Sequence, residues 1–178
     1  MKKLLIIVIA CIAAFSTFAQ LPKTILNCTL GESTPINVKN IFTKKGFEPS
    51  SNKDGSIFVS FLNRNHPTID DTTPKFLNTW WSSALLKFDN GVLSGILFQN
   101  SYKNLDFAKI YYNIVKDYLD QNYPQDYWTT ITPENKPNYK ELEGVIYNSG
   151  KIYYKLFILE YYGDQVLTPV LTLQVYYK

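Results

Sequence analysis

Covalent catalysis by this chain would have to use its single histidine, His66. A Ser-His-Asp or Cys-His site needs that imidazole as its general base, with a serine or Cys28 as the nucleophile. Neither residue lies in a nucleophile-elbow or cysteine-protease signature. A histidine before Pro67 in a polar stretch is typical of a solvated loop, and Cys28 is interpreted as a small buried apolar residue. Nucleophilic catalysis is therefore weakly supported.

Closely spaced carboxylates are the other groups suited to acid–base catalysis or cation binding. They form three pairs: Asp70 with Asp71, Asp117 with Asp120, and Glu141 with Glu143. None of the pairs has the glycine-centred spacing of a calcium-binding loop, and acidic residues are usually solvated at the surface. Glycine-rich phosphate-binding motifs are also missing from the sequence, which removes the usual signature of a nucleotide site.

Adjacent indoles, Trp80 and Trp81, form the strongest candidate for a binding surface. Successive side chains of a strand point to opposite faces, so only one of the two indoles can enter a core. The other is expected to be half exposed, either as an anchor for a protein or sugar or as a cover for a sheet edge. With residues of the preceding polar loop, the predicted binding set is Trp80, Trp81, His66, Asp70 and Asp71.

Residues 1–19 have the pattern of an export signal. Lys2 and Lys3 precede an apolar run, and small residues end it at Ala19. The run is shorter than the ~18 residues expected of a membrane span. We expect cleavage after Ala19, a periplasmic or secreted protein without a transmembrane span, and one domain over residues 20–178. In the alternative, residues 8–11 act as a lipobox and Cys11 becomes a lipidated N-terminus.

The charge and the cysteine content of the expected mature chain argue against several kinds of partner and site. Loss of Lys2 and Lys3 lowers the basic count from 18 to 16 against 15 acidic residues, so no nucleic-acid partner is predicted. Cys28 is then the only cysteine, which excludes an internal disulfide. One histidine and one cysteine cannot supply the three or four ligands of a zinc site. No metal and no cofactor are predicted.

The first half of the chain reads as a helix followed by strands. Ser33 and Thr34 can cap a helix over about residues 35–45, and Pro35 suits its first position. A strand is predicted over 57–62 and an exposed loop over 63–78. Strands 80–89 and 92–99 flank Asn90-Gly91, the pair best suited to a two-residue hairpin turn.

The second half repeats this order. From Asn104 apolar residues recur with helical spacing until Pro124 ends the helix. Strands are predicted over about 143–147, 151–162 and 166–177, and the last of these alternates apolar and polar residues. Pro169 lacks a backbone N–H group, so it predicts a sheet edge or a bulge near that position.

These elements predict an α+β fold in which two helices pack on one face of an antiparallel meander sheet, arranged as two α-then-β halves. The segment 30–47, from Leu30-Gly31-Glu32-Ser33 to Lys45-Gly46-Phe47, opens the first half. In this segment and in element order, the chain resembles small exported bacterial domains built like the β-lactamase inhibitor proteins and their outer-membrane-assembly lipoprotein relatives. The resemblance implies helices on one sheet and a protein-binding role, with no catalytic residues to transfer.

The preferred hypothesis is an exported, non-enzymatic module that binds another envelope or extracellular protein. It rests on the aromatic content, with 14 Tyr, 11 Phe and 3 Trp, and on the scarcity of catalytic groups. A carboxylate-dependent hydrolase of an envelope polymer is one alternative, motivated by the acidic pairs. A structural or assembly protein is another, and it predicts that the strand over 166–177 is an edge that pairs with a second chain.

Overall fold

A computed structural model describes residues 20–62, 73–123, 128–162 and 168–178. The predicted leader, including Cys11, lies outside the described residues. So do His66, Asp70 and Asp71.

Two helices lie where the sequence predicts them. Helix α1 spans Pro35–Lys44, and helix α2 spans Leu105–Asn122. The Thr34 hydroxyl accepts a hydrogen bond from the Asn37 N–H, and the Asn104 side chain accepts one from the Phe107 N–H. Each cap satisfies an N–H group that has no partner inside its helix.

The remaining elements are strands. In chain order they are β1 (Thr24–Ile25), β2 (Cys28–Thr29), β3 (Ser50–Ser51), β4 (Ile57–Ser60), β5 (Lys75–Phe76), β6 (Thr79–Trp80), β7 (Ser83–Asp89), β8 (Val92–Ser101), β9 (Trp128–Thr130), β10 (Asn135–Lys136), β11 (Tyr139–Ser149), β12 (Ile152–Tyr161) and β13 (Thr168–Tyr177). The pairings between them are antiparallel. This confirms the α+β class with an antiparallel sheet.

The turn at Asn90-Gly91 is confirmed, because both residues have positive φ and join β7 to β8. Two neighbouring predictions are wrong. The first strand of this hairpin begins at Ser83 and not at Trp80, which belongs to β6. The predicted loop over 63–78 contains β5, because the chain folds back there into a separate two-stranded hairpin.

Most strands form one sheet of nine, in the order β10-β11-β12-β13-β8-β7-β4-β3, and β9 also pairs with β11. The predicted edge over residues 166–177 is therefore wrong, because β13 lies between β12 and β8. Pro169 is accommodated at the start of β13, where β8 has already ended at Ser101. Its carbonyl oxygen accepts a hydrogen bond from the Tyr102 N–H, just beyond β8.

The two ends of this sheet present little free backbone. At one end β3 has only two residues, both of them exposed. At the other end β9 and β10 cover parts of β11, and the Ile131 N–H donates to the Gly144 carbonyl between them. Short or covered edges disfavour pairing with a second chain. The assembly hypothesis was based on an edge strand over residues 166–177, and β13 is not an edge of the sheet in the described residues.

One face of the sheet forms the main core. A row of cross-strand partners runs over six strands, and each member is buried: Ile57, Leu86, Ile96, Val175, Tyr154 and Tyr147. The same buried cluster contains Val38 and Phe42 of α1 and Ala108, Tyr112, Val115 and Leu119 of α2. Burial of these apolar side chains stabilises the fold by about 25 cal/mol for each Å² removed from water.

The helices of the described residues include none that is long and apolar enough to cross a membrane.

Candidate binding cleft

The two adjacent tryptophans have different environments. Trp81 is 0% exposed, its Nε1–H donates to the Phe76 carbonyl at 3.0 Å, and its ring lies 5.5 Å from that of Phe98. Trp80 is half-buried, and its indole opens onto a surface cleft. This agrees with the expectation that only one indole enters the core.

Trp80 lies on the hairpin formed by β5 and β6, where it pairs with Lys75. Its turn residues, Leu77 and Asn78, have φ of 52° and 60°, which is the left-handed conformation of a two-residue turn. Asparagine tolerates that conformation, but for leucine it costs on the order of 1 kcal/mol. The Leu77 side chain is only 5% exposed, so its burial offsets the backbone strain.

A second hairpin, formed by β1 and β2, has the same turn. Leu26 and Asn27 have φ of 51° and 69°. Tyr154 of β12 contacts the segment just before this hairpin and one strand of the other: its hydroxyl donates to the Pro22 carbonyl at 2.8 Å, and its ring lies 6.0 Å from that of Phe76. Burial raises the pKa of Tyr154, so the hydroxyl keeps the proton that it donates.

Between the two hairpins lies a cleft with a volume of about 700 Å³, which we call the Trp80 cleft. The size is within the range of ligand-binding sites. Its walls come from three places in the chain: Leu26 of the first turn, Lys45 and Phe47 after helix α1, and Thr73, Pro74, Lys75 and Trp80 of the second hairpin and the residues before it.

The Trp80 cleft combines apolar walls with positive charge. The Lys75 Nζ atom lies 5.0 Å from the centre of the Trp80 ring, within the range of a cation–π contact. The Lys45 Nζ atom donates a long hydrogen bond, 3.5 Å, to the Leu26 carbonyl. In the part of the chain that the structure describes, neither lysine has a carboxylate within 4 Å, and the cleft is lined by no acidic side chain.

Asn100 of β8 fixes the backbone that carries Trp80. Its Oδ1 atom accepts from the Ser82 N–H at 2.5 Å, and its Nδ2 atom donates to the Trp80 carbonyl at 2.6 Å. Asn100 is 4% exposed, so these hydrogen bonds are shielded from water. The buried amide therefore acts on Trp80 through the backbone.

Cys28, which a Cys-His site would need as its nucleophile, is poorly placed for catalysis. It is 0% exposed, and burial raises the pKa of its thiol to about 11. Because the thiolate is the reactive form, the group is almost wholly in its unreactive form at neutral pH. This environment fits the interpretation of Cys28 as a packed apolar residue.

Cys28 should consequently react slowly with a soluble thiol reagent. In a Cys11→Ser background, which keeps a single thiol, we expect modification of the native protein at pH 7.5 at least about a hundredfold slower than that of free cysteine. The measurement is the release of a chromophore from a disulfide reagent, with the urea-unfolded protein as the control for full reactivity. Equal rates in the native and unfolded protein would contradict the buried position.

Two of the acidic residues that the sequence suggests for catalysis have local partners. Asp120 pairs with Lys116 at 2.5 Å and accepts a hydrogen bond from the Tyr147 hydroxyl at 2.8 Å. Glu141, only 6% exposed, pairs with Lys155 at 3.0 Å. Glu143 instead lines a smaller cleft of about 340 Å³ with Tyr112. Within the described ranges, no group of three His, Cys, Asp or Glu side chains is arranged to hold a metal ion.

Of the predicted binding residues, the structure thus places Trp80 in the cleft and Trp81 beneath it, while the other three lie outside the described residues. Sequence patterns do not identify Leu26, Lys45 or Phe47 as lining residues. One signal was available: Leu-Asn occurs at 26–27, 62–63 and 77–78, each time after an apolar residue. Asparagine is favoured in left-handed turn positions, so each pair is a candidate turn, and the pairs at 26–27 and 77–78 form the two hairpin turns.

The chain matches no known protein family, no curated protein and no solved structure with which it was compared.

Proposed function

We propose that this protein is an exported, non-enzymatic binding module that recognises another envelope or extracellular protein through the Trp80 cleft. The observation that carries the proposal is the half-buried indole of Trp80 on the wall of that cleft, with its backbone carbonyl held by the buried Asn100 amide. Tryptophan is enriched among the residues that dominate binding energy at protein interfaces. A rigidly held indole also loses little entropy when a partner binds.

Backbone strain at the cleft supports the same conclusion. Leu26 has positive φ and lines the Trp80 cleft, where a glycine would adopt that conformation without strain. Strained residues persist where the surrounding structure enforces them, and they concentrate at functional sites. The strained backbone at Leu26 therefore supports a binding role for the Trp80 cleft.

The finer architecture belongs to the same proposal. We infer that both helices cover one face of the sheet, since their buried residues join the core cluster of that face. Two meanders, β4-β7-β8 and β11-β12-β13, each follow a helix in the chain, which supports two α-then-β halves. The opposite face is then partly open, with Phe58 39% exposed. It is the second surface that a partner could use.

The hydrolase alternative has less support. Asp120 and Glu141 are engaged with lysines, and Glu143 is the only carboxylate among the described residues that line the smaller cleft. A glycosidase needs two carboxyl groups facing each other across the substrate. The contacts of these residues favour a structural role, and the binding module explains more of what the molecule presents.

The test compares Trp80→Ala with a matched aromatic substitution, Phe58→Ala, on the open sheet face. Each purified variant is used to capture partners from the envelope and extracellular fractions of the source cells, and the captured proteins are quantified. We expect the wild type and Phe58→Ala to retain a specific partner that Trp80→Ala loses by at least about tenfold, because loss of an interface tryptophan commonly costs 2 kcal/mol or more.

Both substitutions replace partly exposed aromatic side chains, so neither should unfold the protein, and circular dichroism verifies this. Loss of the partner with Phe58→Ala alone would move the binding site to the open face. An identical set of captured proteins for all three would remove the Trp80 cleft as the recognition surface.

A further inference from the structure

We propose that the Trp80 cleft binds an acidic peptide segment, with a carboxylate between Lys45 and Lys75 and an apolar side chain against the Trp80 indole. This inference rests on the proposed function and specifies the chemistry of the partner. It follows from three features of the cleft, which are its charge, its apolar walls and its shape.

Among the described residues, the positive charge that lines the Trp80 cleft is not balanced by a carboxylate. Lys45 and Lys75 line the same cleft, and their contacts in the described residues are to a backbone carbonyl and to an aromatic ring. Other lysines show the alternative, since Lys23 and Lys155 pair with Glu32 and Glu141. A partner's carboxylate would gain two opposite charges at once, in a concave site where water screens them less than on a flat surface.

The apolar walls favour a peptide over a small anion. Leu26, Phe47 and Pro74 make no polar contact with a phosphate or sulfate, which lysines bind only as point charges and which arginine forks bind with more specific geometry. They do offer contact area to an aliphatic side chain lying on the indole. Glutamate or aspartate two residues from leucine or isoleucine supplies both kinds of contact from one face of a short extended segment.

The shape also suits an extended segment. The Trp80 cleft is open to solvent along the gap between the two hairpins, and its volume of about 700 Å³ accommodates several side chains. In an extended peptide, side chains on one face repeat about every 7 Å. Alternate residues can therefore place a carboxylate at the lysines and an apolar group at Trp80.

Two capped nonapeptides serve as probes: one of repeating Glu-Leu-Gly and one of repeating Gln-Leu-Gly. Titration calorimetry of the full protein should show that the acidic peptide binds at least about tenfold more tightly than the neutral one, because only the former pairs with the lysines. Raising NaCl from 50 to 500 mM should remove most of this difference, since salt screens charges that remain near solvent.

The decisive variant is Lys45→Gln/Lys75→Gln, which should weaken binding of the acidic peptide at least about tenfold and leave the neutral peptide unchanged. The matched control is Lys53→Gln/Lys140→Gln, which removes the same charge from exposed positions outside the cleft and should change affinity less than about twofold. Trp80→Phe should bind more tightly than Trp80→Ala, because the smaller ring retains part of the apolar contact.

The outcomes separate this inference from the proposed function. If both peptides bind alike, keep their affinity in the lysine variant and lose it in Trp80→Ala, the cleft is a binding site but the acidic partner is refuted. If the wild type binds neither peptide while capture of a partner still depends on Trp80, the inference also fails and the proposed function stands. If the two lysine double variants weaken binding of the acidic peptide equally, the effect is due to net charge, and the proposed carboxylate site between Lys45 and Lys75 is refuted.

Discussion

Replacing Trp81 with alanine is expected to lower the free energy of unfolding by about 3–5 kcal/mol. The indole is wholly buried against Phe98, and its N–H satisfies the carbonyl of Phe76. The substitution would create a cavity and leave that carbonyl without its partner, and the two costs add. Because domains of this size are stable by only about 5–15 kcal/mol, the loss should be evident in a urea unfolding curve followed by far-ultraviolet circular dichroism.

The control for this prediction is the adjacent residue. Trp80→Ala removes the same side chain from a half-buried position, where we expect a change within about 1 kcal/mol. The pair separates a residue that supports the cleft from one that lines it. Similar losses of stability in both variants would show that Trp80 is a core residue, and the argument for its availability to a partner would fail.

Local structure was accessible from the sequence wherever a few adjacent residues determine it. Thr34 and Asn104 cap helices at the predicted positions, and Asn90-Gly91 forms the predicted turn. In each case the side chain or backbone preference acts on residues no more than three positions away. Nothing distant has to be known to place these elements.

Sheet order was not accessible in the same way. The alternation of β13 fits an edge strand as well as an interior one, because both bury one face and expose the other. What makes β13 interior is its pairing with β8, which joins Leu171 to Asn100 across a long separation in the chain. Pro169 indicated an edge because a proline cannot donate a hydrogen bond to a neighbouring strand. Strand β8 ends at Ser101, which pairs with Val170, so β8 does not extend alongside Pro169.

The Trp80 cleft shows the same difference between features that adjacent residues determine and features that distant contacts determine. The adjacency of Trp80 and Trp81 predicts that one indole is exposed. It does not predict which one, because the pairing of β5 with β6, which includes Trp80, is not evident from the sequence. Leu26, Lys45 and Trp80 line one cleft although they come from three separate segments of the chain, and Tyr154 of β12 contacts both Pro22, before the first hairpin, and Phe76 of the second. When a site is assembled from three segments of the chain, the residues next to a lining residue in the sequence do not indicate that it lines the site.

Asn100→Ala is expected to lower the free energy of unfolding by about 2 kcal/mol and to loosen the segment that carries Trp80. The variant leaves the Trp80 carbonyl without the Asn100 amide, whereas the Ser82 N–H keeps a second acceptor, the Gln99 carbonyl, at 3.2 Å. One strong and one partial hydrogen bond are therefore lost at a buried position. Hydrogen–deuterium exchange should become faster in a peptide covering residues 73–82, in addition to the shift of the urea midpoint.

The neighbouring substitution Gln99→Ala provides the comparison, because its side chain is half-buried and the Gln99 carbonyl that bonds Ser82 remains. It should change stability by less than about 1 kcal/mol and leave exchange over 73–82 unaltered. Asn100→Ala should also weaken the acidic peptide, since a mobile Trp80 must be ordered again on binding. If exchange over 73–82 stays at the wild-type rate in Asn100→Ala, the hairpin is held by Trp81 and Tyr154 without the buried amide, and Asn100 has no part in positioning the indole.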